Sequence, residues 1–292
     1  MPKPITDPGV RPINIGLVYT GGNMRLNVPF AKKSLGQHWL ADPTSLQAMC
    51  DSADVAPTDT VLEVGPGLGT LTQLLVVQAG LVVAVEFDKV LAQKLPERVA
   101  AANLEVVEQD ILRFDLTKLP PRYKVIANIP YYLTSNLIRV LSESNNPPVC
   151  AVLLVQKEVA ERVTASPGDL SILAVTAQYY WDVSVGRIVP AALFTPPPMV
   201  DSQILILRRR PVALFPNADP KLFFRVVKAG FAQRRKTLLN SLGSGLQLSR
   251  GQTEELLSDA KIAPSTRAQV LTLDDWHRLY QRFVAYTVAL RK

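Results

Sequence analysis

The sequence predicts an α/β fold in which a largely parallel β-sheet is covered by helices and followed by a small all-helical domain. Short β-rich runs at 60–64, 81–86, 104–110, 123–128 and 150–156 alternate with stretches of helical spacing. Those runs are apolar throughout instead of alternating, as strands covered on both faces are. Beyond Pro211 the β-rich runs stop, and apolar residues recur at helical spacing to the end of the chain.

In chain order, residues 1–29 are rich in proline and glycine without a sustained period, which predicts a flexible tail. Asp42 and Pro43 suit the N-cap and first turn of a helix whose apolar positions are Leu46, Met49, Cys50 and Ala53. The strand "TVLEV" ends in a turn bearing Gly65, Gly67 and Gly69, with a helix expected from Thr70. "LLVVQAGLVVAVEF" (74–87) reads as helix end, turn and buried strand. It is broken by Gln78 and Gly80 and falls short of the roughly 20 residues a membrane helix needs. "YYWDVSVGRIVP" (179–190) and "DSQILILRRR" (201–210) read as a final strand pair separated by the proline-rich "FTPPPMV". The expected organisation is a tail over 1–29, a sheet domain over 30–210 and a helical domain over 211–292.

Composition narrows the class. Of 292 residues, 48% are hydrophobic and 20% charged, the balance of an ordinary globular protein. The N-terminus has prolines and polar residues where an export signal has its apolar region, so a cytoplasmic location without membrane partners is expected. Cys50 and Cys150 stand far apart in apolar contexts, which argues against a disulfide framework or a zinc site; no metal is expected. A net charge of +7 suits a polyanionic partner.

The strand ends carry the chemistry. Glycines in "LEVGPGLGT" let backbone pass close to a ligand, and the Glu86 carboxylate at the next strand end suits the hydroxyls of a ribose. These two features leave a nicotinamide enzyme open. The turn, however, is G-x-G-x-G and lacks the dinucleotide spacing, and Glu63 just before it is poor company for a pyrophosphate. A carboxylate there suits the sulfonium and ammonium of S-adenosylmethionine. Asp110 can accept from an adenine amino group or cap the helical turn before Leu112; Glu86 and Asp110 on successive strand ends favour an adenosine pocket.

"VIANIPYYLTSNLI" (125–138) turns polar at Asn128, where a strand meets its loop. Methylating an adenine amino group requires acceptors around a nitrogen whose lone pair is delocalised into the ring. Asn128 offers a side-chain oxygen and Ile129 a carbonyl freed by Pro130, while Tyr131 offers a flat face for a base. Tyr132 fits a pocket wall and a packing position equally, and Thr134 and Ser135 are expected to cap the next helix.

Six motifs in order, "KKSLGQHWLAD", "EVGPGLG", "VEFDK", "EQDILRFD", "NIPYYLTS" and "FTPPPMVDSQILIL", make residues 30–290 resemble the ribosomal RNA adenine dimethyltransferase family, its small-subunit (KsgA/RsmA-type) branch in particular. The resemblance implies a Rossmann-like class I S-adenosylmethionine-dependent methyltransferase sheet with a small C-terminal all-helical domain. It implies that His38 and Leu40 border the methionine end of S-adenosylmethionine, that Gly65 lines the backbone approach, and that Glu86 holds the ribose and Asp110 the adenine. It places Asn128 between cofactor and target, with Asn128 and the Ile129 carbonyl bonding the target amine and Tyr131 and Phe194 flanking the base. The chain departs from the family where His38 and Trp39 replace an asparagine and a phenylalanine; Trp39 is expected to be core packing.

The implied substrate is two adjacent adenosines in the 3′-terminal hairpin of small-subunit rRNA, each methylated twice, within an immature small subunit. A monomer is expected. Related large-subunit enzymes of the macrolide-resistance type share the "NIPY" core, but the C-terminal "GFAQRRKTLLNSL" resembles the small-subunit branch more closely. A chiefly non-catalytic role as an assembly checkpoint is a further alternative. A DNA adenine methyltransferase is disfavoured by the compact helical tail. "RRR" at 208–210 and the cationic stretch 231–240 are expected to contact phosphates.

Overall fold

The computed structural model describes residues 36–233 and 235–289, together with the backbone of 17–20 and 23–26. Those two short stretches pair as an antiparallel hairpin, β1 (Leu17–Thr20) with β2 (Asn23–Leu26). The remainder of the expected tail lies outside the described residues, as do 32–35 of the first motif.

After β3 (Trp39–Leu40), α1 (Pro43–Ala53) starts as expected: the Asp42 side chain accepts from the Ser45 amide at 2.8 Å, and Leu46, Met49, Cys50 and Ala53 are buried. There follow β4 (Thr60–Val64), α2 (Thr70–Gln78), β5 (Leu81–Glu86), α3 (Lys89–Val99), β6 (Leu104–Glu108), β7 (Lys124–Asn128), α4 (Thr134–Glu143) and β8 (Cys150–Gln156). Next come α5 (Lys157–Val163), α6 (Ile172–Tyr180), β9 (Trp181–Val189), β10 (Phe194–Thr195) and β11 (Ser202–Arg209). The chain ends in α7 (Pro220–Phe231), α8 (Leu238–Leu246), α9 (Arg250–Asp259) and α10 (Leu273–Ala289).

Seven strands form one sheet in the order β6-β5-β4-β7-β8-β11-β9. Its first five are parallel, and β11 runs antiparallel to both β8 and β9. The chain builds outward from β4 to β6 and then returns to lay β7 on the other side of β4. That reversal opens a crevice at the carboxyl ends of β4 and β7, where open α/β sheets take their ligands.

Successive residues of each strand enter opposite cores. Leu62 and Val83 face a cluster with Leu137, Leu141 and Trp181, whereas Val61 and Val82 face Leu46, Met49 and Leu75. A third cluster joins Phe223, Leu238, Trp276 and Leu279 of the terminal helices to Ala174, Val175 and Tyr179 of α6. The terminal helices therefore share their core with α6, upstream of residue 211. The same packing corrects the reading of 179–190 as strand throughout: Tyr179 and Tyr180 end α6, with the Tyr179 ring 4.7 Å from that of Phe223, and the strand begins at Trp181.

Each arginine of the triplet has a partner within the protein. Arg208 donates to the Ser52 carbonyl at 3.0 Å, and Arg209 donates to that of Ser142 at 3.1 Å with its guanidinium 4.9 Å from the Tyr180 ring centroid. Arg210 pairs with Asp182 at 2.6 Å. These side chains fasten β11 to its surroundings. Arg235 and Lys236 are exposed, and Arg234 lies outside the described residues. Among the described residues no helix is long and apolar enough to cross a membrane.

Candidate active site

One cavity occupies the crevice, and its wall brings together His38, Leu40, Gly65, Glu86, Asp110, Asn128, Ile129 and Tyr131. Gly65 has φ +66, and a Cβ built on it would meet nothing within 4 Å, so the turn presents bare backbone to open space. At Gly67, with φ +58, an added Cβ would stand 2.4 Å from Cζ3 of Trp39. The indole is therefore packed directly against the turn. Trp39 does pack, as expected, but on the cavity wall, and its Nε1 is buried without a hydrogen-bond partner.

Glu86 is buried at the end of β5. Its Oε2 accepts from the Gly67 amide at 3.0 Å and its Oε1 from the Asp88 amide at 2.8 Å, which fixes the carboxylate and leaves a lone pair on each oxygen for a ligand hydroxyl. Burial raises its pKa, and the two amides work against that rise. The Asp110 Oδ1 caps the turn Ile111–Arg113 by accepting from the Leu112 amide at 2.9 Å, and the residue also lines the cavity.

Glu63, on β4 beneath the glycine turn, also lines the cavity and is only 1% exposed. Burial pushes its carboxyl up to about 8; the nearby Thr72 hydroxyl offsets part of the rise and Glu86 adds to it. Glu63 and Thr72 do not meet in hydrogen-bond geometry, and Glu63 Oε2 and Thr72 Oγ1 are both buried without partners.

Across the crevice Asn128 ends β7. Its Nδ2 donates to the His38 carbonyl at 3.4 Å, which leaves Oδ1 as an acceptor. The Pro130 carbonyl is taken by the Leu133 amide at 2.9 Å, closing the turn that carries Ile129. The Tyr131 hydroxyl bonds Ser202 Oγ at 2.8 Å, and its ring lies 20° from the plane of His38, with centroids 5.9 Å apart. His38 Nδ1 meets the Pro196 carbonyl at 2.7 Å and so carries the hydrogen. Tyr132 is 64% exposed at the cavity mouth and is a wall residue. Thr134 and Ser135 are not caps: the helix starts at Thr134 without a side-chain cap, and Thr134 Oγ1 is buried and unpartnered.

Phe194 is the one expected site residue that the cavity wall does not include. Its backbone pairs with Leu40 between β10 and β3, and its side chain, 3% exposed, joins the core beside Leu46 and Ile204. Residues that sequence reasoning left out, Phe87, Gln109, Ile111 and Leu112, complete the wall near Glu86 and Asp110. Their adjacency to the acidic strand ends was the available signal. An orphaned buried carboxylate, fixed acceptors on Glu86 and an open glycine cradle fit a cationic adenosine-bearing ligand such as S-adenosylmethionine. Among the described residues no group of three or more histidines, cysteines or carboxylates is placed to hold a metal.

Comparisons with known proteins agree with this geometry. Residues 30–284 match the family model described as Ribosomal RNA adenine dimethylase. Proteins named Ribosomal RNA small subunit methyltransferase A are similar along most of the chain. The one from Dehalococcoides mccartyi is 40% identical over 253 residues, 85% of this chain and 87% of that one. The one from Moorella thermoacetica is 41% identical over 261 residues, 84% and 90%. Among solved structures, a dimethyladenosine transferase from Plasmodium falciparum superposes with a TM-score of 0.73 at 26% identity, covering 86% of this chain and 98% of that one. The 23S rRNA methyltransferase ErmE superposes with 0.67 at 29% identity, covering 84% and 98%.

Proposed function

Because the chain belongs to the ribosomal RNA adenine dimethylase family, we propose that it dimethylates two adjacent adenosines in the 3′-terminal hairpin of small-subunit rRNA within the immature small subunit. It is an S-adenosylmethionine-dependent ribosomal RNA adenine methyltransferase on a Rossmann-like class I sheet. The observation that supports methylation of an adenine amine is the pairing, across one crevice, of an adenosine-suited wall at Glu86 and Asp110 with the free acceptor of Asn128. The small subunit is favoured over the large because relatives at about 40% identity bear the small-subunit name, whereas ErmE stands at 29%. The protein acts in the cytoplasm as a monomer.

The cofactor, when bound, supplies a methyl group on a positively charged sulfur. Glu86 and Asp110 hold its adenosine, and the bare backbone at Gly65 lets it lie close to the sheet end. Asn128 Oδ1 and the Ile129 carbonyl would accept the hydrogens of the target amine and so favour a tetrahedral nitrogen with its lone pair available. The Tyr131 ring supports the base, held by the hydroxyl bond to Ser202. No side-chain base is required, since the positively charged nitrogen left by methyl transfer is acidic enough to lose its proton to water.

The test is tritium transfer from labelled S-adenosylmethionine to small subunits lacking the modification, with large subunits and duplex DNA alongside. Incorporation into small-subunit rRNA alone is expected; incorporation only into one of the other two refutes the assignment.

A further inference from the structure

The mechanism above leaves the segment 190–201, between β9 and β11, without a task, although it borders the acceptor side of the crevice. It is tied down along its length. The Ala191 amide donates to Asp201 Oδ1 at 2.9 Å, Phe194 and Thr195 pair with Leu40 and Trp39, and the Asp201 carbonyl accepts from the Lys157 amide at 3.0 Å. Two further bonds fasten it to residues of the cavity wall: the Pro196 carbonyl accepts from His38 Nδ1 at 2.7 Å, and Ser202 Oγ, just past its end, meets the Tyr131 hydroxyl at 2.8 Å. Met199 stands three residues from each of these bonds, which puts it within about 11 Å of both, or about three steps of a base stack. The chemistry of the segment is apolar. From Ile188 to Leu207 the chain has no lysine or arginine, and its one acid, Asp201, is engaged with the Ala191 amide, so phosphates find no charged partner here. Met199 is fully exposed, and Val200 and Leu193 of the same segment are exposed as well. Three prolines, Pro196, Pro197 and Pro198, stiffen the approach to Met199, so the side chain is presented to solvent on a pinned loop. Exposed apolar side chains gathered beside a cleft mark a contact surface.

We propose that Met199 is an apolar wedge that enters the RNA base stack next to the target adenosine, fills the gap left when that base turns into the pocket, and keeps it from swinging back. The inference rests on the rRNA adenosine reading above. Turning a base out of its stack bares the faces of its neighbours to water. A flexible, polarisable thioether covers such faces well, and apolar side chains set between base steps are a recurring device for holding nucleic acid unstacked. The contact needs no phosphate partner, in keeping with a segment that has no cation. The bond between Tyr131 and Ser202 then serves two purposes: it supports the ring on which the base rests, and it fixes how far the wedge stands from that ring.

The test compares Met199→Ala, Met199→Leu and Met199→Lys in the full chain, with small subunits lacking the modification as acceptor. Met199→Ala is expected to lower kcat/KM for the subunits by about tenfold or more, the scale of one buried methionine contact, while S-adenosylmethionine affinity in equilibrium dialysis stays at the wild-type value. Met199→Leu, close in volume and equally apolar, is expected to keep most of the wild-type rate, and Met199→Lys to do no better than alanine. Thermal midpoints should match the wild type, because the side chain makes no part of the core. A wild-type kcat/KM in Met199→Ala overturns the wedge. So does a gain in Met199→Lys with a steeper loss on adding salt, which would mean phosphate contact instead. Placement is read separately by Met199→Cys carrying a photoreactive azide; Cys50 and Cys150 are buried, so the label goes to position 199. Crosslinking to rRNA within about three nucleotides of the target adenosines is expected. Labelling of a ribosomal protein, of distant rRNA or of nothing overturns the proposal. Should the wild type transfer no methyl group to small subunits, the functional reading fails and the proposal with it.

Discussion

Replacing Gly67 with alanine probes the join between the glycine turn and Trp39. Two costs add. An alanine at φ +58 sits in the left-handed region at about 1–2 kcal/mol. Its Cβ would also lie 2.4, 3.1 and 3.4 Å from three indole carbons of Trp39. The indole has little room to retreat, because Trp39 is paired with Thr195 and the neighbouring Leu40 carbonyl accepts from Thr70 Oγ1 at 2.8 Å. Overpacking of that kind costs about 1–3 kcal/mol, so Gly67→Ala is expected to destabilise by about 2–5 kcal/mol. Urea unfolding of four proteins, wild type, Gly67→Ala, Trp39→Leu and the double variant, separates the terms. In the Trp39→Leu background only the left-handed cost remains, so Gly67→Ala should then cost about 1–2 kcal/mol. An equal cost in both backgrounds, within about 0.5 kcal/mol, would refute the contact as its source. Cofactor affinity should fall alongside, since the Gly67 amide is one of the two that fix Glu86.

Asn128→Ala should abolish methyl transfer while leaving the thermal midpoint nearly unchanged, since the half-buried amide makes one long hydrogen bond; residual turnover above a few per cent would move the acceptor role elsewhere. Phe194→Ala should cost about 3–5 kcal/mol of stability as a buried ring is lost from the core, and a variant of wild-type stability with reduced turnover would instead place the ring against the target base. Glu86→Gln should weaken cofactor binding by tenfold or more in equilibrium dialysis while sparing the fold, because an amide oxygen can still accept from one of the two backbone amides. Glu63 should also make the unliganded protein less stable as pH rises. Its folded pKa of about 8 lies above the ordinary carboxylate value of 4.5, so the proton is held more tightly in the folded state. That contribution is fully present below pH 4.5 and is lost at about 1.4 kcal/mol per pH unit until about pH 8. The difference between wild type and Glu63→Gln in denaturant midpoints across this range should track that slope; a parallel pair of curves would contradict it.

Much of the site was legible because its chemistry sits at strand ends. An acidic residue closing an apolar run, as at Glu86, or a polar residue closing one, as at Asn128, is a local pattern that burial enforces. Partnerships across the sequence were not legible. The family resemblance places Phe194 at the base, whereas in the structure its backbone pairs with Leu40 and its ring lies in the core. Arg208, Arg209 and Arg210 read as a cationic patch, since nothing in their own stretch announces Ser52, Ser142 or Asp182 as partners. Tyr179 and Tyr180 resemble strand residues by type, and only the packing of the terminal helices on α6 makes them helical. Trp39 was expected as packing and does pack, but which surface it covers depends on the glycine turn it meets.

The two-residue ladder between β3 and β10 has a consequence for synthesis. It ties the opening motif to a loop made much later, and the His38–Pro196 bond spans 158 residues. On a growing chain, the acidic strand ends and the glycine turn are complete while α5 and everything after it are still unmade. The His38 ring, on the residue whose carbonyl accepts from Asn128, gains its bond to Pro196 only after that residue has emerged and doubled back. Glu86, Asp110 and the glycine turn are thus made early, whereas the opening motif that carries His38 is latched only by late-arriving chain, so the full crevice is assembled only after β10 has been made.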